Sequence, residues 1–340
     1  MRVLVGISGG VDSAVSAMLL KKAGHEPIAV HLLLGEGEEN ANARKCAEYL
    51  GIEYHFVDMS EEFAKRVKTP FANVYLNGQT PNPCVICNRE IKFGLMAELM
   101  EVYNCDKLAT GHYVCSEYCA DLKRWVLRKG KDNKKDQSYF LWSLSQKQLA
   151  NTIFPLGEYT KEQVRQLALE NGIPVAASAE SQDVCFIPDG NCGEFIACYT
   201  GVKPVCGDFV DVNGNILGRH KGIAYYTVGQ RKGLGISSDA PLYVIRKDAA
   251  SNTVVLGSND QLFSDSVNVC DVNLITADLE VGEIPVQTKI RYSNHTAEAV
   301  LILKGKEGVL KFIEPQRAPS PGQSAVFYDN DLVVGGGIIV

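Results

Sequence analysis

The chain has 340 residues, enough for two or three domains at roughly 100–200 residues each. With 46% hydrophobic and 22% charged residues it can bury an ordinary globular core, which excludes a disordered or low-complexity chain. A formal net charge of −6 excludes a uniformly basic nucleic-acid binder, so any such binding must use a local patch. MRVLVGISGG lacks the long apolar region of a signal peptide, and no apolar run reaches the ~18 residues of a membrane span. A cytoplasmic protein with no membrane partner is therefore expected. The 11 cysteines are an odd number in a chain far too long to need disulfide staples, and most should be free thiols.

RVLVGI (2–7) reads as a strand, and VDSAVSAMLLKKAG as a helix stopped by Gly24. PIAVHLLL (27–34) is an apolar run suited to a strand buried on both faces. NARKCAEYLG (42–51) reads as a helix, IEYHFVD (52–58) as a strand, and SEEFAKRV as a helix that must bend or end near Pro70. TPNPCVICN is a turn feeding the amphipathic helix REIKFGLMAELMEVY, and CDKLATGHY (105–113) is a fourth strand running into a Gly-His turn. This alternation predicts an α/β fold with a doubly wound parallel sheet. VCSEYCADLKRWVLRKG (114–130) reads as an inserted β-ribbon and KDNKKDQS as a charged loop. SYFLWSLSQKQLAN and TKEQVRQLALENG look helical, the second opening with a capping box from Thr160 to Gln163. Beyond about residue 200 the chain becomes short β-runs between Asn-Gly, Gly-Arg and Pro-Gly turns. The expected organisation is a catalytic domain over 1–200, a central β domain over 201–265 and a C-terminal β-barrel over 266–340.

GISGGVDS follows the first strand and opens the first helix, as an anion trap does. Glycines let the backbone approach a phosphate, and free N–H groups at the helix start point at it. Ser8 and Ser13 can add hydroxyl donors, and Asp12 could hold Mg²⁺. The loop lacks the Gly-Lys-Ser/Thr ending of a Walker A motif and is not a dinucleotide fingerprint. SGGVDS resembles the pyrophosphate loop of enzymes that split ATP between its α and β phosphates.

Cys84 and Cys87 sit in a Pro/Asn turn, where such a pair can hold a metal, exchange disulfides or act as nucleophile. A structural zinc site needs four ligands, and the C-x3-C pair Cys115 and Cys119 is the available complement. Cys185 stands alone in the loop ESQDVCFIPDG, a setting that favours a reactive thiol, whereas Cys46 and Cys270 read as packed and inert. Cys87 lies near a helix start, where the dipole should favour its thiolate.

TPNPCVICNREIKF, ATGHY, KKDQSYFLW, FPLGEYTKEQVR, ESQDVCFIPDG and YYTVGQRKGLGI, in this order, resemble the tRNA-specific 2-thiouridylase family. IRYSN and SPGQSAVFY match it more loosely. The resemblance implies ATP-dependent sulfur insertion at C2 of the wobble uridine of Lys-, Glu- and Gln-type tRNAs, with release of AMP and pyrophosphate. It implies that Cys185 carries a persulfide supplied by a cysteine desulfurase or relay protein. Cys87 would protonate the substrate or release sulfur by forming a disulfide with Cys185. It places ATP on Gly6, Ile7, Ser8, Gly9, Gly10, Val11, Asp12, Ser13, Leu32 and Gly111. It points tRNA towards Asn82, Pro83, Cys84, His112, Lys135, Asp136, Gln137, Arg291, Tyr292 and Gln323. Some members carry Asp where this chain has Cys84. The alternative reading is therefore an iron–sulfur cluster on Cys84, Cys87 and Cys185.

From the residues alone, His112 is either a base at a strand's C-terminal end or a structural histidine. Lys92 is either a phosphate contact or a solvated helix residue. The basic cluster KGKDNKK is a solvated loop or a phosphate contact. His25, His31, His55, His220 and His295 read as structural or solvated. A monomer is expected. The rival functions are an amidating synthetase on the same ATP loop, which would not need the cysteines, and a non-catalytic RNA binder with a relict nucleotide site.

Overall fold

The computed structural model describes residues 1–35, 37, 39–176, 184–187, 189–293 and 295–340. Of ESQDVCFIPDG, residues 180–183 and 188 lie outside the described residues, as does Asn294 of IRYSN.

The first strand, β1 (Arg2–Gly6), leads to α1 (Val11–Lys22), β2 (Glu26–Leu33), α2 (Ala41–Leu50) and β3 (Tyr54–Asp58). α2 is capped by Asn40, whose side chain accepts from Asn42 N, and closes on Gly51 in the left-handed region. Next come α3 (Ser60–Phe63), α4 (Thr69–Leu76), α5 (Pro83–Cys87), α6 (Met96–Val102) and β4 (Lys107–Ala109). The helix does not end at Pro70. A π-helical turn, Ala64–Lys68, lets the chain pass into α4 with Pro70 in its first turn. There the missing N–H and the ring are accommodated.

β5 (Val114–Cys119) and β6 (Arg124–Lys129) form the ribbon, followed by α7 (Gln146–Ala150), β7 (Thr152–Ile153), α8 (Lys161–Glu170) and α9 (Cys192–Thr200). β1, β2, β3, β4 and β7 make one parallel sheet in the order β3-β2-β1-β4-β7. The chain leaves β1 towards β2 and returns on its other side at β4. The crevice outside the carboxyl ends of β1 and β4 is therefore the switch point where ligands bind in such sheets.

SYFLWSLSQKQLAN is not one helix. A 3₁₀ turn, Ser138–Phe140, and the short α7 are its regular parts. Tyr139, Leu141, Trp142 and Leu144 are all buried, a pattern no one-sided helix can present. They join Leu4, Ile28 and Val30 of the parallel sheet and Val326, Tyr328 and Val333 of the C-terminal part in one core.

β8 (Gly207–Val210), β9 (Ile216–His220), β10 (Tyr243–Asp248) and β11 (Thr253–Gly257) form a four-stranded sheet ordered β10-β11-β8-β9. β12 (Phe263–Leu274), β13 (Gly282–Lys289), β14 (Ala297–Lys304), β15 (Glu307–Arg317), β16 (Ser324–Asp329) and β17 (Leu332–Ile339) follow. They run β12-β15-β14-β13-β16-β17, and pairing of β12 with β17 closes them into a barrel. Closure removes the unpaired edges. The β5–β6 ribbon adds to this barrel through Leu332 opposite Arg128, so the insert of the first domain belongs to the last sheet. Among the described residues no helix is long and apolar enough to cross a membrane.

Candidate active site

A cavity of about 260 Å³ lies at the switch point. Gly6, Ile7, Ser8, Asp12, Ser13, Leu32 and Gly111 line it, as expected of a nucleotide site. The other three residues of the loop do not. Gly9 and Gly10 make the turn itself, and Val11 packs into the core under α1. The loop curls around Ser13, whose Oγ accepts from Ser8 N (3.2 Å) and donates to Gly10 O (3.0 Å). Asn40 braces it from outside by donating to Ser8 O (3.1 Å). Gly10 at the N-cap of α1 offers no side chain to close the first-turn N–H groups, which keeps the helix start suited to an anion.

Gly111 is required by packing. A Cβ there would sit 3.0 Å from Asp12 C and from Ser13 N. The absence of that methyl lets the turn after β4 press against the start of α1.

His31, Lys92, Thr110, His112 and Gln137 complete the wall. Sequence reasoning gave His31 no role; it is buried on β2 and its Nδ1 bonds Ile7 O at 2.8 Å. Its signal was its place beside Leu32 at the carboxyl end of a central strand. His112 is buried, with Nδ1 2.7 Å from Thr110 Oγ1 and the Phe93 and Phe154 rings around it. Burial first, and the Lys92 ammonium second, hold its pKa well below the ordinary value, so the imidazole is neutral at pH 7. Lys92 is therefore part of the cavity, not a solvated helix residue.

Asp12 is not free to hold Mg²⁺. Lys161 Nζ donates to both its oxygens, at 2.6 and 2.8 Å, and Tyr113 Oη donates to Oδ1 at 2.7 Å. Nothing in the sequence near Asp12 announced Lys161, which stands 149 positions away.

Leu32 and Leu34 also line a second, larger cleft of about 810 Å³ that holds Cys185 with Phe63, Lys68 and Tyr199. Cys84 and Cys185 are exposed and Cys87 is buried; all three are free thiols. Cys87 is the fifth residue of a helix that runs on through the π-helical stretch Asn88–Leu95 into α6, past the first-turn N–H groups that would favour its thiolate. Burial dominates and pushes it up to about 11, against the opposing Lys92 ammonium. Cys84 and Cys185 keep exposed surface, but the protein packed around their thiols partly desolvates them and raises both, again opposed by Lys92. The expectation of a dipole-lowered Cys87 is thus corrected. Among the described residues no three His, Cys, Asp or Glu side chains converge as metal ligands. Cys84, Cys87 and Cys185 are near enough to raise one another's pKa, and Cys115 lies elsewhere, donating to Glu158 Oε1.

The residues expected to meet tRNA are in differing states. Asn82 caps α5 by accepting from Cys84 N (3.2 Å), and Pro83 is its buried first residue. Tyr292 is half exposed, lies tilted against the Phe140 ring and donates to Asp136 O (3.3 Å). Arg291 donates to the carbonyls of Arg317 and Ala318. Lys135 is half-buried on the charged loop, its N–H on Asp132 O. Asp136 is turned inward: it is buried and accepts from Gly130 N, Ser138 N and Ser138 Oγ. It braces the loop and offers nothing to a polyanion. Gln323 likewise spends its amide on Thr80 O (2.9 Å) and Pro81 O (3.3 Å), tying the barrel to the cysteine turn.

A glycine–serine loop at a parallel-sheet switch point, a Cys185-lined cleft sharing its wall and two trailing β domains are the frame of a multidomain α/β enzyme. Three domain families match in series: the tRNA methyl transferase HUP domain over residues 1–189, the tRNA methyl transferase PRC-barrel domain over 193–258 and the aminomethyltransferase beta-barrel domain over 264–339. The chain is 48% identical to tRNA-specific 2-thiouridylase MnmA 1 of Caldanaerobacter subterraneus, covering 99% of this chain and 97% of that protein. It is 43% identical to tRNA-specific 2-thiouridylase MnmA of Acetivibrio thermocellus, covering 99% of each. The chain belongs to the tRNA-specific 2-thiouridylase family and is a transferase of tRNA modification. The domain names speak of methyl transfer; the relatives matched over the whole length are thiouridylases.

Proposed function

We propose that this protein thiolates C2 of the wobble uridine in Lys-, Glu- and Gln-type tRNAs, using ATP. The observation that carries this reading is the shared wall: Leu32 and Leu34 face both the phosphate-loop cavity and the Cys185 cleft. A base entering between them meets an ATP α-phosphate on one side and a sulfur on the other. The target base must leave its stack to get there, and the rim at Asn82, Tyr292 and Lys135 is where the anticodon would be held.

The C2 oxygen attacks the α-phosphorus, and the bond to pyrophosphate breaks. The terminal sulfur of a Cys185 persulfide then attacks C2, the C–O bond breaks and AMP leaves, with the sulfur still joined to Cys185 Sγ by an S–S bond that a second thiol must break. Cys87 is held as a thiol at neutral pH, which supports its service as proton donor to the substrate. That S–S bond breaks when Cys87 attacks Cys185 Sγ, leaving the sulfur on C2 and a Cys87–Cys185 disulfide for an external thiol to reduce; where Cys87 serves only as proton donor, an external thiol attacks Cys185 Sγ in its place. The persulfide comes from a cysteine desulfurase or relay protein docking at the open Cys185 cleft, and the enzyme works as a cytoplasmic monomer. Mg²⁺ would reach the site on the ATP phosphates, since Asp12 is engaged.

The test is thiolation of an unmodified glutamate tRNA transcript with ATP, cysteine and a desulfurase. The wild type should form 2-thiouridine and AMP, and Cys185→Ser should form none. Thiolation that survives Cys185→Ser would overturn the assignment of the sulfur carrier.

A further inference from the structure

The phosphate loop carries a carboxylate where an anion is to bind. Asp12 lies in the first turn of α1 and lines the cavity. A negative charge there repels a triphosphate across a few ångströms unless something cancels it. Lys161 is placed to do so. It is the first residue of α8, is 6% exposed, and grips both Asp12 oxygens. Its own backbone N–H donates to Asp132 Oδ2 at 2.9 Å, in the charged loop at the tRNA rim. Tyr113 makes a parallel link: its hydroxyl donates to Asp12, and its backbone exchanges hydrogen bonds with Gln137 of that loop.

We propose that Lys161 is a positioning residue for the reaction, the permanent counter-ion of Asp12. It neutralises the carboxylate, so that ATP meets only the free N–H groups of α1. Together with Tyr113 it fixes the phosphate loop to the 130–137 loop. Asp12 is then a structural anchor and not a ligand of ATP or its metal. This rests on the reading that the cavity takes ATP.

The test is ATP affinity by calorimetry on the full chain, with tRNA affinity measured beside it. Lys161→Met exposes the unpaired carboxylate and should weaken ATP roughly ten- to hundred-fold, the size of a like-charge repulsion at short range in a partly desolvated site. Tight tRNA binding should persist. Asp12→Asn keeps an acceptor for Lys161 and Tyr113 and should hold ATP within a few-fold of wild type. The double variant carries neither charge and should recover most of what Lys161→Met loses, a rescue that a merely structural lysine would not give. A folded Lys161→Met that binds ATP like wild type overturns the proposal. A ten-fold loss in Asp12→Asn alone also overturns it, and that arm remains decisive should Lys161→Met fail to fold. Absence of ATP binding in the wild type would refute the nucleotide site itself, which is a different failure.

Discussion

Replacing Gly111 by alanine isolates what the close approach of β4 and α1 contributes. The added methyl would stand 3.0 Å from Asp12 C, 3.0 Å from Ser13 N and 3.2 Å from Asp12 Cβ. Two of these are backbone atoms at the start of a helix whose interior face is packed, with Ala14, Val15 and Ala17 fully buried. Neither can swing away as a side chain end can. The whole first turn of α1 must retreat by a few tenths of an ångström, or β4 must. Overpacking of this kind costs about 1–3 kcal/mol. The same shift moves the N–H groups that face the phosphate. Loss of one hydrogen bond to a charged group is worth about 1.5–3 kcal/mol, so ATP should weaken about ten- to hundred-fold. Gly10→Ala is the control. Its Cβ would meet Ser8 Oγ at 3.5 Å, an ordinary contact, so its stability should fall by no more than about 1 kcal/mol. Calorimetric ATP titration and denaturant unfolding of both variants decide it. If Gly111→Ala binds ATP as tightly as wild type while unfolding at the same denaturant concentration, the tight approach is not what shapes the site.

Two further outcomes are expected. Timed alkylation with iodoacetamide at pH 7, read by peptide mass spectrometry, should label Cys185 and Cys84 well before Cys87, which is buried and held at about 11. Lys247 is pushed down to about 8 by burial beside Tyr75 and Cys192. Between about 8 and the ordinary 10.5 the unfolded chain binds the extra proton, so wild-type stability gains as pH rises through that window. Lys247→Met lacks this gain, and its stability relative to wild type should fall between pH 7.5 and 10 in urea unfolding.

The phosphate loop was legible because its chemistry is local: strand, two glycines, two serines and helix follow one another, and backbone geometry does the rest. The parallel sheet was legible from apolar runs alternating with amphipathic ones. What could not be read depends on partners distant in the chain. Burial of Tyr139, Leu141, Trp142 and Leu144 on all sides is set by the barrel they meet, and the same apolar run is equally good helix by pattern. The β5–β6 ribbon looks self-contained until Leu332 pairs with Arg128.

The site shows the same division more sharply. Seven of the ten residues that the resemblance assigned to ATP line the cavity, but Gly9, Gly10 and Val11 do not, His31 was missed, and no charge state could be read. Cys87 sits near a helix start in the sequence and in the second turn of a longer helix in the fold, past its free N–H groups, and desolvation raises its pKa. Asp12 looks like a metal ligand until Lys161 arrives from α8. Asp136 and Gln323 look like surface contacts until Ser138 and Thr80 take their polar atoms. In each case the residue type was right for the site and the partner decided the role. Cys84, Cys185 and Tyr292 keep open surface. Residues with satisfied carboxylates and amides hold the frame around them.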